Sequence, residues 1–203
     1  LPRFVDHDQR RRDIAFATIQ VIAREGLKGL SISAVAKELG GTVTLVTHYY
    51  SSKSALIDDL AEQMIENYQC QMDELTRDIE DPVARLHCFL DWAIPNSTLG
   101  INEEKVRIRL VENSDDIPAI RSMTNRFDQH MRSFIRQHLR PLIPESMLEQ
   151  YTELLRVMIS GICLSAVETP SEWPPERQVL VVNSVLRLIA LPEMSLQQAE
   201  KTL

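Results

Sequence analysis

Eight residues crowded between positions 42 and 53, Thr42, Val43, Thr44, Leu45, Thr47, His48, Tyr49 and Lys53, combine hydroxyls, an imidazole, an ammonium and compact apolar groups. Thr44, Thr47 and His48 are short or neutral polar side chains of the kind that exchange hydrogen bonds with base edges, and Leu45 suits a thymine methyl. Thr42 and Ser52 read as helix N-caps. Free backbone N–H groups and the positive dipole end favour an anion there, so the two hydroxyls with the Lys53 ammonium form candidate phosphate clamps. The chemistry is recognition of a duplex rather than the making or breaking of bonds. Val46 and Tyr50, four residues apart, would face inward.

Such a row reaches a major groove only from a helix that protrudes. Gly40-Gly41 supplies the turn: two short helices joined by two glycines can cross steeply. The first helix is predicted over about His7 to Glu25, with Ile14, Ala17, Thr18, Val21 and Ile22 on one face and Gly26 as a left-handed cap. A second starts after Ser31 and carries Ile32, Val35, Ala36 and Leu39 to the glycine pair. Thr42 then caps a third helix of about seven residues, and Ser51 or Ser52 a fourth that runs from Lys53 to about Thr76. Further helices are expected near Val83 to Ile94, Asn102 to Asn113, Ala119 to Leu139, Glu145 to Val167 and Glu176 to Leu191, with prolines punctuating the connections. No alternating run comes with hairpin turn chemistry, so the fold expected is all-α, about nine helices.

The stretch LGGTVTLVTHYYSSKSAL, Leu39 to Leu56, and the segments before it resemble the N-terminal domain of TetR/AcrR-type regulators. The family's aliphatic residue and Ala in the first helix, the Gly after it, the Thr/Ser-aliphatic opening of the second helix, Ile/Val-Ala and Gly match Ile14, Ala17, Gly26, Ser31-Ile32, Val35-Ala36 and Gly40. Its closing pattern matches Thr42, Thr47-His48-Tyr49-Tyr50 and Lys53-Ser54-Ala55-Leu56. Two positions depart: Thr47 stands where the family usually has a phosphate-touching Tyr, and Tyr50 replaces the usual Phe. The resemblance implies a regulator whose Thr42 and Lys53 hold phosphates, whose Val43, Thr44, Leu45 and His48 face the groove, and which binds a palindromic operator as a homodimer. Thr47 and Tyr49 join them as candidate contacts. Domains of 1–54, binding DNA, and 55–203, binding an effector and dimerising, follow from it; the break near the long fourth helix implies rigid coupling.

Charge agrees once it is divided. The chain carries −7 in total, but positions 1–53 hold 8 Lys/Arg against 5 Asp/Glu, and the remainder 14 against 24. The basic balance lies at one end, densest at Arg10-Arg11-Arg12. No run of apolar residues is long enough for a membrane span, and Leu1 to Arg12 is charged, so a cytoplasmic protein is expected. Cys70, Cys88 and Cys163, an odd number in unrelated contexts, point to neither a disulfide framework nor a zinc site.

A reader helix this short covers few base pairs, so two copies on a two-fold operator are required. Leu154 to Val167 and Val179 to Leu191 are apolar around most of their circumference and must be covered on two sides, which gives a four-helix interface between protomers through about 145–167 and 176–191. Gly161, with Ser160 and Ser165, permits close approach. In the family the C-terminal half holds an inducer. Candidate contacts here are Tyr68, Phe89, Trp92, Met123, Phe127 and Met158, with Met64, Val111, Met131 and Ile162 around them and Arg107, Glu112 and Asn125 as polar groups. Clustered Met and aromatic side chains suit a small, mostly apolar effector. Past Pro82, Pro95 and Asp116-Ile117-Pro118 resemble the betaine-responsive branch of the family.

Enzyme signatures are missing: no Gly-x-Ser-x-Gly, His-Glu-x-x-His or phosphate-binding glycine loop occurs, and no cofactor is expected. His87 with Asp91 and Cys88, and Asp128 with His130 and His138, read as partly buried polar residues before they read as catalytic or metal groups. Two other classes compete with the regulator: a small-molecule-binding or enzymatic helical protein without DNA affinity, and an adaptor indifferent to Lys53→Ala.

Overall fold

Among the residues that the computed structural model describes, 7–112, 117–192 and Met194, nine helices account for the regular structure. They are α1 (His7–Gly29), α2 (Ile32–Glu38), α3 (Val43–Thr47), α4 (Lys53–Leu75), α5 (Pro82–Ala93), α6 (Thr98–Glu112), α7 (Pro118–Leu139), α8 (Glu145–Glu168) and α9 (Pro175–Leu188). Among the described residues none is long and apolar enough to cross a membrane. Asn113, Asp116 and the stretch before His7, on which some of the sequence expectations fall, lie outside the described residues.

Several boundaries differ from expectation for local reasons. Gly26 adopts a positive φ of +69° but an extended ψ of −178°, so it kinks the helix rather than capping it in the left-handed helical conformation expected; one more turn follows and α1 ends at Gly29. Helices α5, α7 and α9 begin on Pro82, Pro118 and Pro175 rather than after them, because a proline at the first helical position loses no hydrogen bond and brings a helical φ. Helix α3 is five residues long, shorter than the seven expected. Helix α9 stops at Leu188, short of Leu191. Ala190 takes φ 57° there, and the N–H groups of Ala190 and Leu191 donate back to Arg187 and Leu186 at 3.1 and 2.9 Å. That is a Schellman closure with alanine in glycine's usual place.

The described chain forms two compact units, Leu1–Tyr68 with Arg109–Phe127 and Gln69–Ile108 with Asp128–Leu203. The first unit has Ile14, Val21, Ile22, Val35, Val46, Leu56 and Ile57 at its centre, all essentially inaccessible. Burying one such side chain contributes about 1.5–3 kcal/mol. Its second segment is tied to the first by Arg109, which donates to the Ala23 carbonyl at 3.4 Å, and by Arg126, which reaches Glu62 at 3.3 Å. The second unit is centred on Leu86, Phe89, Leu90, Phe134, Ile135, Leu155, Ile162, Val182 and Leu186. An arginine–carboxylate ladder closes α7 on α8: Arg132 meets Glu153 at 2.7 Å and Arg136 meets Glu149 at 2.6 Å. Both pairs are largely exposed, so they orient the helices more than they stabilise them.

Candidate nucleic-acid interface

The turn between α2 and α3 is built by capping chemistry. Ser31 Oγ accepts from the Ala34 N–H at 3.1 Å and starts α2. At its end Gly40 adopts φ +65°, with Gly40 N–H donating to Lys37 O at 3.0 Å and Gly41 N–H to Ala36 O at 2.9 Å. These two bonds again form a Schellman motif, and its left-handed position explains why Gly40 is a glycine. The chain then turns into α3, where Thr42 Oγ1 accepts from the Leu45 N–H at 3.3 Å. Ser52 Oγ, accepting from the Ala55 N–H at 3.1 Å, caps α4.

Helix α3 has one buried residue, Val46, with Tyr50 buried just beyond its end. Thr42, Val43, Thr44, Thr47 and His48 are exposed and Leu45 and Tyr49 half-buried, so the polar row projects while Val46 anchors it. Thr47 is partly engaged, its hydroxyl donating to Thr44 O at 3.2 Å. Tyr49 packs edge-on against the His48 ring, centroids 5.2 Å apart. Lys53 sits at the start of α4, and its Nζ donates to the Leu27 carbonyl at 2.8 Å. Burial lowers its pKa from the ordinary lysine range. The lysine therefore closes the end of α1 as well as standing beside the Ser52 cap.

A network that the sequence reading missed anchors the reader helix from below. Asp59 on α4 accepts from the guanidinium of Arg11, from the Tyr50 hydroxyl and from Gln63 Nε2. Asp59 and Tyr50 are both buried. Burial raises the Tyr50 pKa, and the neighbouring Arg11 partly offsets that. One carboxylate thus joins α1, the residue following α3 and α4. Arg10 and Arg12, by contrast, pair locally among the described residues, with Asp13 at 3.6 Å and Gln9 at 3.0 Å. The Tyr50 departure from phenylalanine has its physical reason here, since a phenylalanine ring at that position has no donor for Asp59.

Candidate effector residues fall in both units. In the first, the Tyr68 and Phe127 rings lie 6.0 Å apart and Met123 is buried. In the second, Phe89 and Met158 are buried, and half-buried Trp92 donates from Nε1 to Gln71 at 3.2 Å. Phe89 stacks on His138 at 4.7 Å and lies 6.1 Å from Phe134, which meets Trp92 edge-on at 5.9 Å. Arg107 pairs with Glu104 at 2.6 Å. Arg156, unremarked in the sequence, is partly buried between Asp128, at 2.8 Å, and Ser160.

Most groups of the weak catalytic constellations have structural partners, although His130 Nε2 is buried without a hydrogen bond among the described residues. His87 Nε2 donates to Pro192 O at 2.9 Å, Asp91 accepts from Asn96 at 3.0 Å, and His138 Nδ1 donates to Phe134 O at 2.8 Å. Burial raises the Asp91 pKa and lowers those of His130 and His138. The Cys163 thiol is pushed up to about 12 by burial, so it is inert as a nucleophile.

Two capped short helices set across a left-handed glycine, the second with an unburied polar face, are a helix-turn-helix, the fold element that reads duplex DNA. Residues 14–60 match the family described as bacterial regulatory proteins, tetR family, and residues 82–190 match BetI-type transcriptional repressor, C-terminal. The chain belongs to the TetR family, as a DNA-binding transcriptional repressor with a BetI-type C-terminal domain and not an enzyme. Among its relatives is the transcriptional regulator BetI of Vibrio campbellii, 20% identical over 190 residues that cover 92% of this chain and 94% of the relative. The regulator PksA of Bacillus subtilis is 39% identical over 57 residues, 28% of each chain. In fold it is similar to a transcriptional regulator from Saccharomonospora viridis solved with choline, with a TM-score of 0.71, 19% identity, and 89% and 97% of the two chains covered.

Proposed function

We propose that this repressor binds a palindromic operator as a homodimer, with α3 of each protomer in a major groove. Its unburied row of Val43, Thr44, Thr47 and His48 carries the reading. Thr44, Leu45 and His48 meet base edges with Val43 beside them, while Thr42, Thr47 and Lys53 serve the backbone and Tyr49 packs beside His48. Residues 1–54 supply the DNA contacts and 55–203 the effector site and dimer interface, and the protein acts in the cytoplasm. Titrating the protein against its own upstream DNA, with two variants, tests the assignment. Lys53→Ala is expected to weaken binding to every sequence and lower the salt slope by about one unit, whereas Thr44→Ala changes which bases are preferred. A Thr44→Ala protein whose affinities are all scaled equally contradicts the reading of bases by that residue.

The apolar sides of α8 and α9 support the dimer. On α8, Leu155, Met158, Ile159, Ile162 and Ala166 are buried, while Leu154, Val157 and Leu164 form an outer row with Gly161 among them. A Cβ on Gly161 would meet nothing within 4 Å, so a partner helix can approach closely at that point. Leu180 and Leu188 carry the outer side of α9.

The effector we infer is small and mostly apolar; its candidate contacts are Tyr68, Met123 and Phe127 in the first unit and Phe89, Trp92 and Met158 in the second, each unit taken by itself. It acts by binding the operator-competent and operator-free states with different affinities. Because a structural neighbour was solved with choline, choline belongs in the test beside uncharged apolar compounds; aromatic rings such as Trp92 and Phe134 also suit a quaternary ammonium. In a Trp173→Phe background, an effector should change Trp92 fluorescence and release operator at the same concentration. Release by choline alone would replace the apolar effector with a cationic one.

A further inference from the structure

The first residue of α1 touches the last part of the reader. His7 Nδ1 lies 3.0 Å from the Tyr49 hydroxyl, and the two ring centroids are 5.8 Å apart. Tyr49 in turn holds the His48 ring edge-on at 5.2 Å and lies 6.4 Å from Tyr50. Around them lies an open depression of about 550 Å³, lined by His7, Arg11, His48, Tyr49, Tyr50 and Asp59 among others. Arg11 is turned inward to Asp59, while His7 reaches the Tyr49 hydroxyl from the α1 side.

We propose that His7 is a positioning residue for sequence readout: through the Tyr49 hydroxyl it fixes the ring against which His48 packs, and so sets the direction in which His48 meets its base pair. The inference rests on the reading of α3 given above. Side-chain torsions of an exposed histidine interconvert freely unless something packs on the ring, and each rotamer left open dilutes the productive one. With the His7 proton on Nε2, the tyrosine hydroxyl donates to Nδ1 and removes one such freedom from Tyr49.

The test compares the parent, His7→Ala, His7→Asn, Tyr49→Phe and the double variant His7→Ala/Tyr49→Phe on an operator and on its single-base variants. His7→Ala is expected to lower operator affinity about three- to tenfold, the scale of one net hydrogen bond. It should also flatten discrimination at the base pair that His48→Ala affects, with the melting temperature and the salt slope unchanged. His7→Asn, whose amide oxygen can accept from the tyrosine, recovers most of the loss. The double variant binds no worse than the weaker single one. Unchanged affinity and preference in His7→Ala overturn the proposal, as do additive losses. A uniform loss with a reduced salt slope also overturns it, since His7 would then be a phosphate contact. Thr44→Ala measured alongside separates the two levels: if it too is silent, the reading of α3 fails, and if it alone responds, only the role of His7 does.

Discussion

Val157→Asp and Leu180→Asp should each convert the protein to a monomer and cut operator affinity by about a hundredfold or more. The two side chains are 68% and 60% exposed in a single protomer, on helices whose opposite sides are already buried. Leaving such leucines and valines in water is unusual when they form a row, as Leu154, Val157 and Leu164 do. In a two-fold interface each substitution appears twice, so two carboxylates enter one apolar layer without partners. An unpaired charge held in an apolar interface costs several kcal/mol, more than an interface of this kind tolerates twice over. Both residues are mostly exposed in their own protomer, so the helical circular dichroism should persist. The drop in affinity follows from linkage: a head tethered to a bound partner finds its half-site at high effective concentration, worth about 10²–10⁴ in avidity. Light scattering after size exclusion, paired with an operator titration, checks both halves. A dimer that survives either substitution with binding intact places the interface elsewhere.

The second large effect is on the fold of the reader head. Asp59→Ala removes the acceptor shared by Arg11, Tyr50 and Gln63. Arg11 is well exposed and contributes little, because water screens its ion pair. The buried Tyr50 hydroxyl is the expensive loss, since an unsatisfied buried donor costs about 1–3 kcal/mol. With Gln63 also stranded, a destabilisation of about 2–3 kcal/mol is expected, and the melting temperature of the transition that involves the head should fall by about 5–10 °C. Asp59→Asn keeps an oxygen for the tyrosine and should recover about half of it. Tyr50→Phe, the residue usual in the family, removes donor and demand together and should cost less than Asp59→Ala. Thermal melts of the three variants followed by circular dichroism make the comparison. Equal stability of Asp59→Ala and parent contradicts the assigned role of the network.

The helix-turn-helix was legible because local rules wrote it. Ser31, Gly40, Thr42 and Ser52 each satisfy or end a helix through bonds no more than five residues long, and such bonds leave residue types at fixed offsets. What escaped the sequence was long-range pairing. His7 finds Tyr49 across 42 positions, Arg11 finds Asp59 across 48, and Lys53 finds Leu27 across 26. Arg11 sat in a basic triplet that looked uniform, although among the described residues its neighbours pair within a turn of their own helix. The one available signal for Asp59 was an acidic residue amid the apolar face of α4, beside Leu56, Ile57 and Leu60. Prolines misled in the opposite direction, because the same ring that ends one helix opens the next when it stands at the first position. The early stop of α9 carried no glycine to announce it, since Ala190 takes the left-handed position itself.

For the effector residues, periodicity identified apolar faces but not which of them are merely core. Phe89 and Met123 are closed in completely, while Tyr68, Phe127 and Trp92 keep part of their rings accessible, and Trp92 adds an indole whose fluorescence can report on a bound molecule.

The central claim is that two copies of Thr42 to His48 meet one duplex together. Selecting bound fragments from random DNA with the intact protein tests it most directly. Two inverted half-sites about one helical turn apart, centre to centre, or a multiple of that, are predicted, with a consensus that moves when Thr44 is changed to alanine. Enrichment of a single unpaired half-site, or of nothing above the background in dilute salt, would contradict it.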